Sequence, residues 1–118
     1  MAESILILVR GPPYGVADSY AGIRLGLATA VHEIETKIIL FGDGVYNALE
    51  GQNSKVISAP SNAGVIEDFV AMDGTIYCLK EDLKERGIST DDLVEDVEVI
   101  PRQEMSDIVD QCDLVATF

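Results

Sequence analysis

Residues that cross-link a chain or bind metal ions are scarce in this sequence. Its 118 residues include two cysteines, one histidine and no tryptophan. Two cysteines cannot form the set of disulfides that stabilises small secreted domains, and a structural zinc site usually takes four Cys or His ligands in closely spaced pairs. The sequence therefore predicts neither a disulfide framework nor a metal site.

Positive charge is also scarce. Eight lysines and arginines stand against 21 aspartates and glutamates, which gives a net charge of −13. Because nucleic-acid binding draws on clustered cations, we expect no direct contact with nucleic acid. The acidic balance fits two situations equally well: a surface that attracts a basic protein partner, and an ordinary cytosolic or salt-tolerant surface.

Long apolar runs are missing as well, although 47% of the residues are hydrophobic. The longest run, Ile5–Val9, is far shorter than the ~18 residues of a membrane span. Residues 1–4, which precede it, contain neither the basic residues nor the cleavage site of a signal peptide. We expect a single cytoplasmic domain over residues 1–118 that does not associate with membranes.

Short apolar, β-branched runs alternate with stretches of helical character. The predicted strands are Ile5–Val9, Ile38–Phe41, Thr75–Leu79, Val97–Ile100 and Leu114–Thr117. The predicted helices are Asp18–Val31, Val45–Leu49, Ala63–Met72, Lys80–Arg86 and Arg102–Gln111. Nearly continuous apolar strands are typical of a parallel sheet covered on both faces. The pattern predicts an α/β fold, a three-layer, flavodoxin-like domain with a five-stranded, mostly parallel sheet.

The first predicted helix has apolar residues on two stripes, which is more than one sheet face requires. Gly22 and Gly26 leave a strip without side chains along it. Two interpretations stay open: a contact with another subunit, or a helix fully packed inside its own chain.

Candidate chemistry lies at the carboxyl ends of the predicted strands, where loops of a parallel sheet meet helix N-termini. Cys78 ends the third strand and is the candidate nucleophile, while a small buried strand residue is the alternative. The following helix and Lys80 would stabilise its thiolate at short range, whereas net charge is screened over roughly 8 Å. We therefore expect a Cys78 pKa below the ordinary ~8.5. We expect Cys112 at the opposite edge of the sheet, too far from Cys78 to form a disulfide with it. We expect His32 at the end of the first helix.

Two glycine-rich segments follow the first and second strands, Gly11–Gly15 and Gly42–Gly44. Gly42–Gly44 lacks the third glycine of a dinucleotide-binding motif, and Gly11–Gly15 lacks the Lys-Ser/Thr of a P-loop. Pro12 and Pro13 each remove a backbone N–H that a phosphate would need. We therefore expect no organic cofactor.

Four segments in this order resemble the DsrE/DsrF-like sulfur-relay proteins, which include the TusD/DsrE and TusC/DsrF subunits. The match covers most of the chain. The segments are Gly11–Gly15, Asp43–Ala48, Cys78 followed by Leu83–Ile88, and Cys112–Phe118.

The resemblance implies a parallel-sheet α/β fold and a trimer or hexamer of identical or related subunits. It also implies a sulfurtransferase activity in which Cys78 carries sulfane sulfur as a persulfide between small carrier proteins, in tRNA thiolation or in sulfur oxidation. The residues that would shape the Cys78 pocket are Tyr14, Gly15, Asp43, Gly44, Tyr46 and Asn47. The sequence combines TusC-like and TusD-like features, so a non-catalytic structural subunit stays open as the alternative.

Overall fold

The fold is an alternation of strands and helices in a computed structural model that describes residues 4–10, 17–49, 62–94 and 97–118. The strands are β1 Ser4–Val9, β2 Glu35–Leu40, β3 Thr75–Leu79, β4 Glu98–Ile100 and β5 Leu114–Thr117. The α-helices are α1 Ala17–Val31, α2 Asn62–Ala71, α3 Lys80–Glu85 and α4 Met105–Gln111. Shorter 3-10 helices are η1 Gly42–Ala48, η2 Thr90–Asp92 and η3 Arg102–Glu104.

The five strands form one parallel sheet in the order β4-β3-β2-β1-β5. The predicted α/β fold is therefore confirmed. Strand β2 begins at Glu35, three residues before the predicted start at Ile38. Its first three residues are polar or charged, but they pair with Ser4–Leu6 of β1, and this pairing makes them a strand.

The sheet has an apolar layer on each face. On one face, α1 and α2 contribute Ile23, Val65, Ile66 and Phe69 to a cluster with strand residues such as Ile38 and Ile76. On the other face, Ile108 of α4 packs in a cluster with Leu6, Ile39, Leu79 and Ile100. No helix within the described residues is long and apolar enough to cross a membrane.

The glycines of α1 lie against the chain's own residues. A Cβ added at Gly22 would come within 2.8 Å of the Phe118 ring, and one at Gly26 within 2.8 Å of Ile38 Cδ1. The internal interpretation is therefore correct for this strip. One of the two apolar stripes of α1 consists of Ala21, Leu25 and Ala28. These three residues are exposed, and Leu25 keeps 37% of its surface accessible.

Gly87 follows the predicted helix Lys80–Arg86, and a glycine in that place predicts the end of the helix. Gly87 has a φ of 66°, and the N–H of Ile88 donates to the carbonyl of Leu83 at 3.0 Å. This left-handed residue with its long hydrogen bond is a Schellman ending, for which glycine is favoured. The predicted C-terminal glycine is thus confirmed. The sequence also favours Asp18 and Asn62 as residues that cap the starts of two other helices, but their side chains lie outside the described residues.

Candidate functional site

The carboxyl ends of the strands lie at one edge of the sheet, which we call the carboxyl edge. Helix η1 begins two residues after β2 and packs directly on the end of β1. The N–H of Phe41 donates to the carbonyl of Val9 at 3.1 Å, and a Cβ added at Gly44 would lie 2.1 Å from that carbonyl oxygen. Only glycine fits at position 44, so η1 has a fixed place at this edge.

Four of the six predicted pocket residues lie together on η1: Asp43, Gly44, Tyr46 and Asn47. Helix η1 contacts both β3 and α3. The buried Asn47 side chain donates to the carbonyl of Gly44 at 2.9 Å, which stabilises the turn, while Asp43 is exposed. The remaining two predicted residues, Tyr14 and Gly15, lie outside the described residues.

Cys78 is the next-to-last residue of β3 and pairs with Leu40 on one side and Val99 on the other. Its side chain is fully buried, with 0% of its surface exposed. The same apolar cluster includes Val45 of η1 and Leu83 of α3. Burial raises the pKa of the Cys78 thiol to about 12, because an anion is poorly solvated among apolar side chains.

The expectation of a lowered Cys78 pKa is therefore wrong. Leu79 is the residue that precedes the first turn of α3, and that turn carries its own acidic side chains. Glu81 accepts a hydrogen bond from the Arg102 N–H at 2.9 Å, and this bond lowers the pKa of the Glu81 carboxyl. The positive end of α3 thus lies beside carboxylates, and burial determines the pKa of the thiol.

A buried charged group lies one turn from Cys78. The Asp82 side chain is 6% exposed; it accepts a hydrogen bond from the Gly42 N–H at 2.8 Å and pairs with the Arg102 guanidinium. Arg86 donates to the Asp82 carbonyl at 3.1 Å and pairs with Asp43 at 3.0 Å. These five residues, which we call the Asp82 cluster, connect the segments that follow β2, β3 and β4.

The local sequence around Asp82 does not indicate the Asp82 cluster. Asp82 lies in a charged stretch, Lys80–Arg86, that is typical of a solvent-exposed helix face. The one local signal is the four-residue spacing of Asp82 and Arg86, which allows an ion pair on a helix. Nothing in the local pattern indicates that Gly42 and Arg102 meet Asp82 from other segments.

The second cysteine lies at the opposite, amino edge of the sheet. Cys112 precedes β5, is half-buried, and is a free thiol like Cys78, so the expectation that no disulfide joins them is confirmed. Burial raises the pKa of Cys112, and the negative charges of Glu35 and Asp113 add to the shift. His32 is exposed just after α1, also away from Cys78. The described residues contain no group of three His, Cys, Asp or Glu side chains arranged to hold a metal.

We expect Cys112 to react with iodoacetamide faster than Cys78 in the folded protein at neutral pH. Because Cys78 is buried, iodoacetamide reaches it only after a local opening of the structure, and the raised pKa of its thiol leaves little thiolate to react. In the single-cysteine variants Cys78→Ser and Cys112→Ser, we predict a difference in rate of at least about tenfold. Intact-mass measurements over time give both rates. The two rates should converge in urea, and a faster Cys78 in the native state would contradict this account.

We also expect Cys78 to make the fold less stable at high pH. Below its ordinary pKa the thiol is protonated in both states, but between that value and about 12 only the unfolded chain releases the proton. The unfolding free energy of the wild type relative to Cys78→Ala should therefore fall as pH rises, by up to ~1.4 kcal/mol per pH unit. Urea unfolding at a series of pH values measures this. A difference that does not change with pH would argue against the burial described here.

Asp82→Ala is expected to lower the free energy of unfolding by about 2 to 3 kcal/mol. It removes the acceptor of the Gly42 N–H and the partner of two guanidinium groups. Asp92→Ala is the matched control, because Asp92 is exposed on η2 and should change stability by less than about 0.5 kcal/mol. Urea unfolding followed by circular dichroism compares the two; equal effects would mean that the Asp82 cluster does not stabilise the fold.

The chain is similar to known proteins over almost its whole length. The DsrE/DsrF-like family matches residues 3–118. A TusC homolog of Vibrio parahaemolyticus is 28% identical over 117 residues, covering 98% of this chain and 99% of the relative. The intracellular sulfur oxidation protein DsrF of Allochromatium vinosum is 25% identical, covering 100% and 98%. The crystal structure of YchN from Escherichia coli matches with a TM-score of 0.91 at 27% identity, covering 98% and 99%. The chain belongs to the DsrE/DsrF-like family.

Proposed function

We propose that this chain is a sulfur-relay subunit in which Cys78 carries sulfane sulfur as a persulfide. The observation that supports this most is the place of Cys78, at the end of β3 beside η1, where a parallel α/β fold positions its functional groups. Cys112 lies at the other edge of the sheet. Two relatives have names from sulfur metabolism, the TusC homolog and the intracellular sulfur oxidation protein DsrF.

The proposed chemistry is two thiol exchange steps. The Cys78 thiol gives its proton to solvent water, and the thiolate attacks the terminal sulfur of a donor persulfide. The donor S–S bond breaks, and the donor leaves as a thiolate that can take up a proton from the solvent. A thiolate of the acceptor protein then attacks the terminal sulfur on Cys78, and Cys78 leaves as a thiolate that regains a proton. One sulfur atom moves in each step with no net oxidation, so the exchange requires no cofactor.

The buried state of Cys78 limits when these steps occur. A thiol with a pKa of about 12 is almost entirely protonated at neutral pH, and a donor cannot reach a side chain that is 0% exposed. We therefore infer that transfer requires the carboxyl edge to open, with α3 moving away from η1. The contacts of Asp82 with Gly42 and Arg102 are those that such an opening must break.

A second candidate function is a non-catalytic structural subunit, and the burial of Cys78 favours it. In that case Cys78 is a small core residue at the end of β3. The chain would then complete an assembly around a related, active subunit, and it would need no opening of the carboxyl edge.

Sulfur loading distinguishes the two functions. Wild type, Cys78→Ser and Cys112→Ser are incubated with a small-molecule persulfide donor and weighed intact, before and after dithiothreitol. The relay predicts a reducible gain of sulfur that Cys112→Ser keeps and Cys78→Ser loses. Loading on Cys112 alone, or no loading while iodoacetamide still modifies Cys112, would overturn the relay and support the structural subunit.

We further propose that the chain assembles into an oligomer of at least three copies, alone or with related subunits. The exposed stripe of α1 supports this, together with Leu114 of the edge strand β5, which is 54% exposed. Light scattering at moderate salt should give at least three times the chain mass. Leu25→Lys should lower it, whereas Glu67→Lys, on the exposed face of α2, should not. A monomeric wild-type protein would contradict this prediction for the isolated chain.

A further inference from the structure

A cleft of about 500 Å³ lies at the amino edge of the sheet, opposite Cys78. It is lined by the last residues of α1 and α2 and by the turns that follow them. Its lining residues are Ala30, Val31, Glu33, Ile34, Glu35, Ala71, Met72 and Asp73. None of them belongs to the carboxyl edge, so this cleft is independent of the proposed sulfur chemistry.

The cleft carries negative charge from two sources. Glu33, Glu35 and Asp73 line it, and none of the lining residues is basic. Helices α1 and α2 both end there, and the C-terminal end of a helix carries a partial negative charge. Lys37, at 3.8 Å from Glu35, offsets part of one charge.

The two acidic residues that follow the helices have an unfavourable backbone. Glu33 has a φ of 64° and Asp73 a φ of 67°, in the left-handed region where glycine is favoured. Both stand in Schellman endings, closed by Ile34 N–H to Thr29 carbonyl at 3.0 Å and Gly74 N–H to Phe69 carbonyl at 3.1 Å. A carboxylate there also opposes the helix dipole, so the stability of the isolated chain does not account for these side chains.

Two large apolar side chains are exposed among these charges. Val31, the last residue of α1, is 53% exposed, and Met72, which follows the last residue of α2, is 49% exposed. A concave surface that combines exposed apolar groups with carboxylates is complementary to a segment that is apolar on one side and basic on the other.

We propose that this cleft docks a basic amphipathic segment of a partner protein. Apolar side chains of the segment lie on Val31 and Met72, and its lysines or arginines pair with Glu33 and Asp73. Charge decides between this occupant and others. Another copy of the chain has eight basic residues against 21 acidic ones, so it offers this cleft no predominantly basic segment, and nucleic acids and anionic lipid surfaces carry the same sign of charge as the cleft.

The test uses a synthetic amphipathic helix of leucine and lysine, and a scrambled peptide of the same composition. Each is titrated into the isotopically labelled protein and followed by NMR. We expect shifts in the signals of Val31, Glu33, Met72 and Asp73, and weaker binding of the scrambled peptide. Val31→Thr with Met72→Gln should also weaken binding of the amphipathic peptide severalfold.

Two charge variants with the same net charge provide the matched comparison. Glu33→Gln, Glu35→Gln and Asp73→Asn together should weaken binding about tenfold. The control, Asp91→Asn, Asp92→Asn and Asp110→Asn, neutralises exposed residues outside the cleft lining and should change binding less than about twofold. The proposal would be overturned if both charge variants lost the same affinity for the peptide, or if the scrambled peptide bound as tightly as the amphipathic one. NMR signal shifts confined to residues outside the cleft would also overturn it. A change of oligomeric mass in the first variant would assign the cleft to a second copy instead.

Discussion

The parallel register of the sheet is the constraint on which the other features depend. Val9, Leu40, Cys78 and Val99 form one row across four strands. Because parallel strands all run in the same direction, every connection must return to the amino edge before the next strand starts. This separates the loops into two groups, and it places the two thiols at opposite edges.

The two edges of the sheet differ in how far their negative charges are compensated. At the carboxyl edge Arg102 pairs with the buried carboxylate of Asp82 and Arg86 with the exposed carboxylate of Asp43. At the amino edge the cleft brings three carboxylates to two helix C-termini. A chain with eight basic residues cannot neutralise both edges, and the structure pairs two of its arginines with Asp43 and Asp82 at the carboxyl edge. The negative field of the molecule is consequently expected to be less compensated at the amino edge.

The sequence predicts the strands, the helices and the place of Cys78, because these depend on periodic apolar runs and on glycine and proline at the boundaries. The pKa of Cys78 cannot be predicted from the local sequence alone, because it depends on tertiary packing. A cysteine before a helix has the same local sequence pattern whether its thiol is open to solvent or covered by η1. The packing of Val45 and Leu83 around β3 decides between these two environments, and with them the pKa of the thiol. The burial of Asp82 also depends on tertiary packing, because its partners are 40 and 20 residues away along the chain. The local sequence does not indicate the start of β2, because its polar residues form a strand only through pairing with β1.

The pairing of β1 with β5 has a consequence for the order of folding. Ser4 and Asp113 exchange hydrogen bonds across 109 residues, with the Ser4 N–H donating to the Asp113 carboxylate and the Asp113 N–H donating to Ser4 Oγ at 3.0 Å. Closing so long a loop costs chain entropy before the contacts repay it. The β1-β2-β3 part of the sheet joins segments that are nearer in sequence, so it can form first. We therefore expect β5 to be added last, and because it is an edge strand, its detachment leaves the other four strands paired.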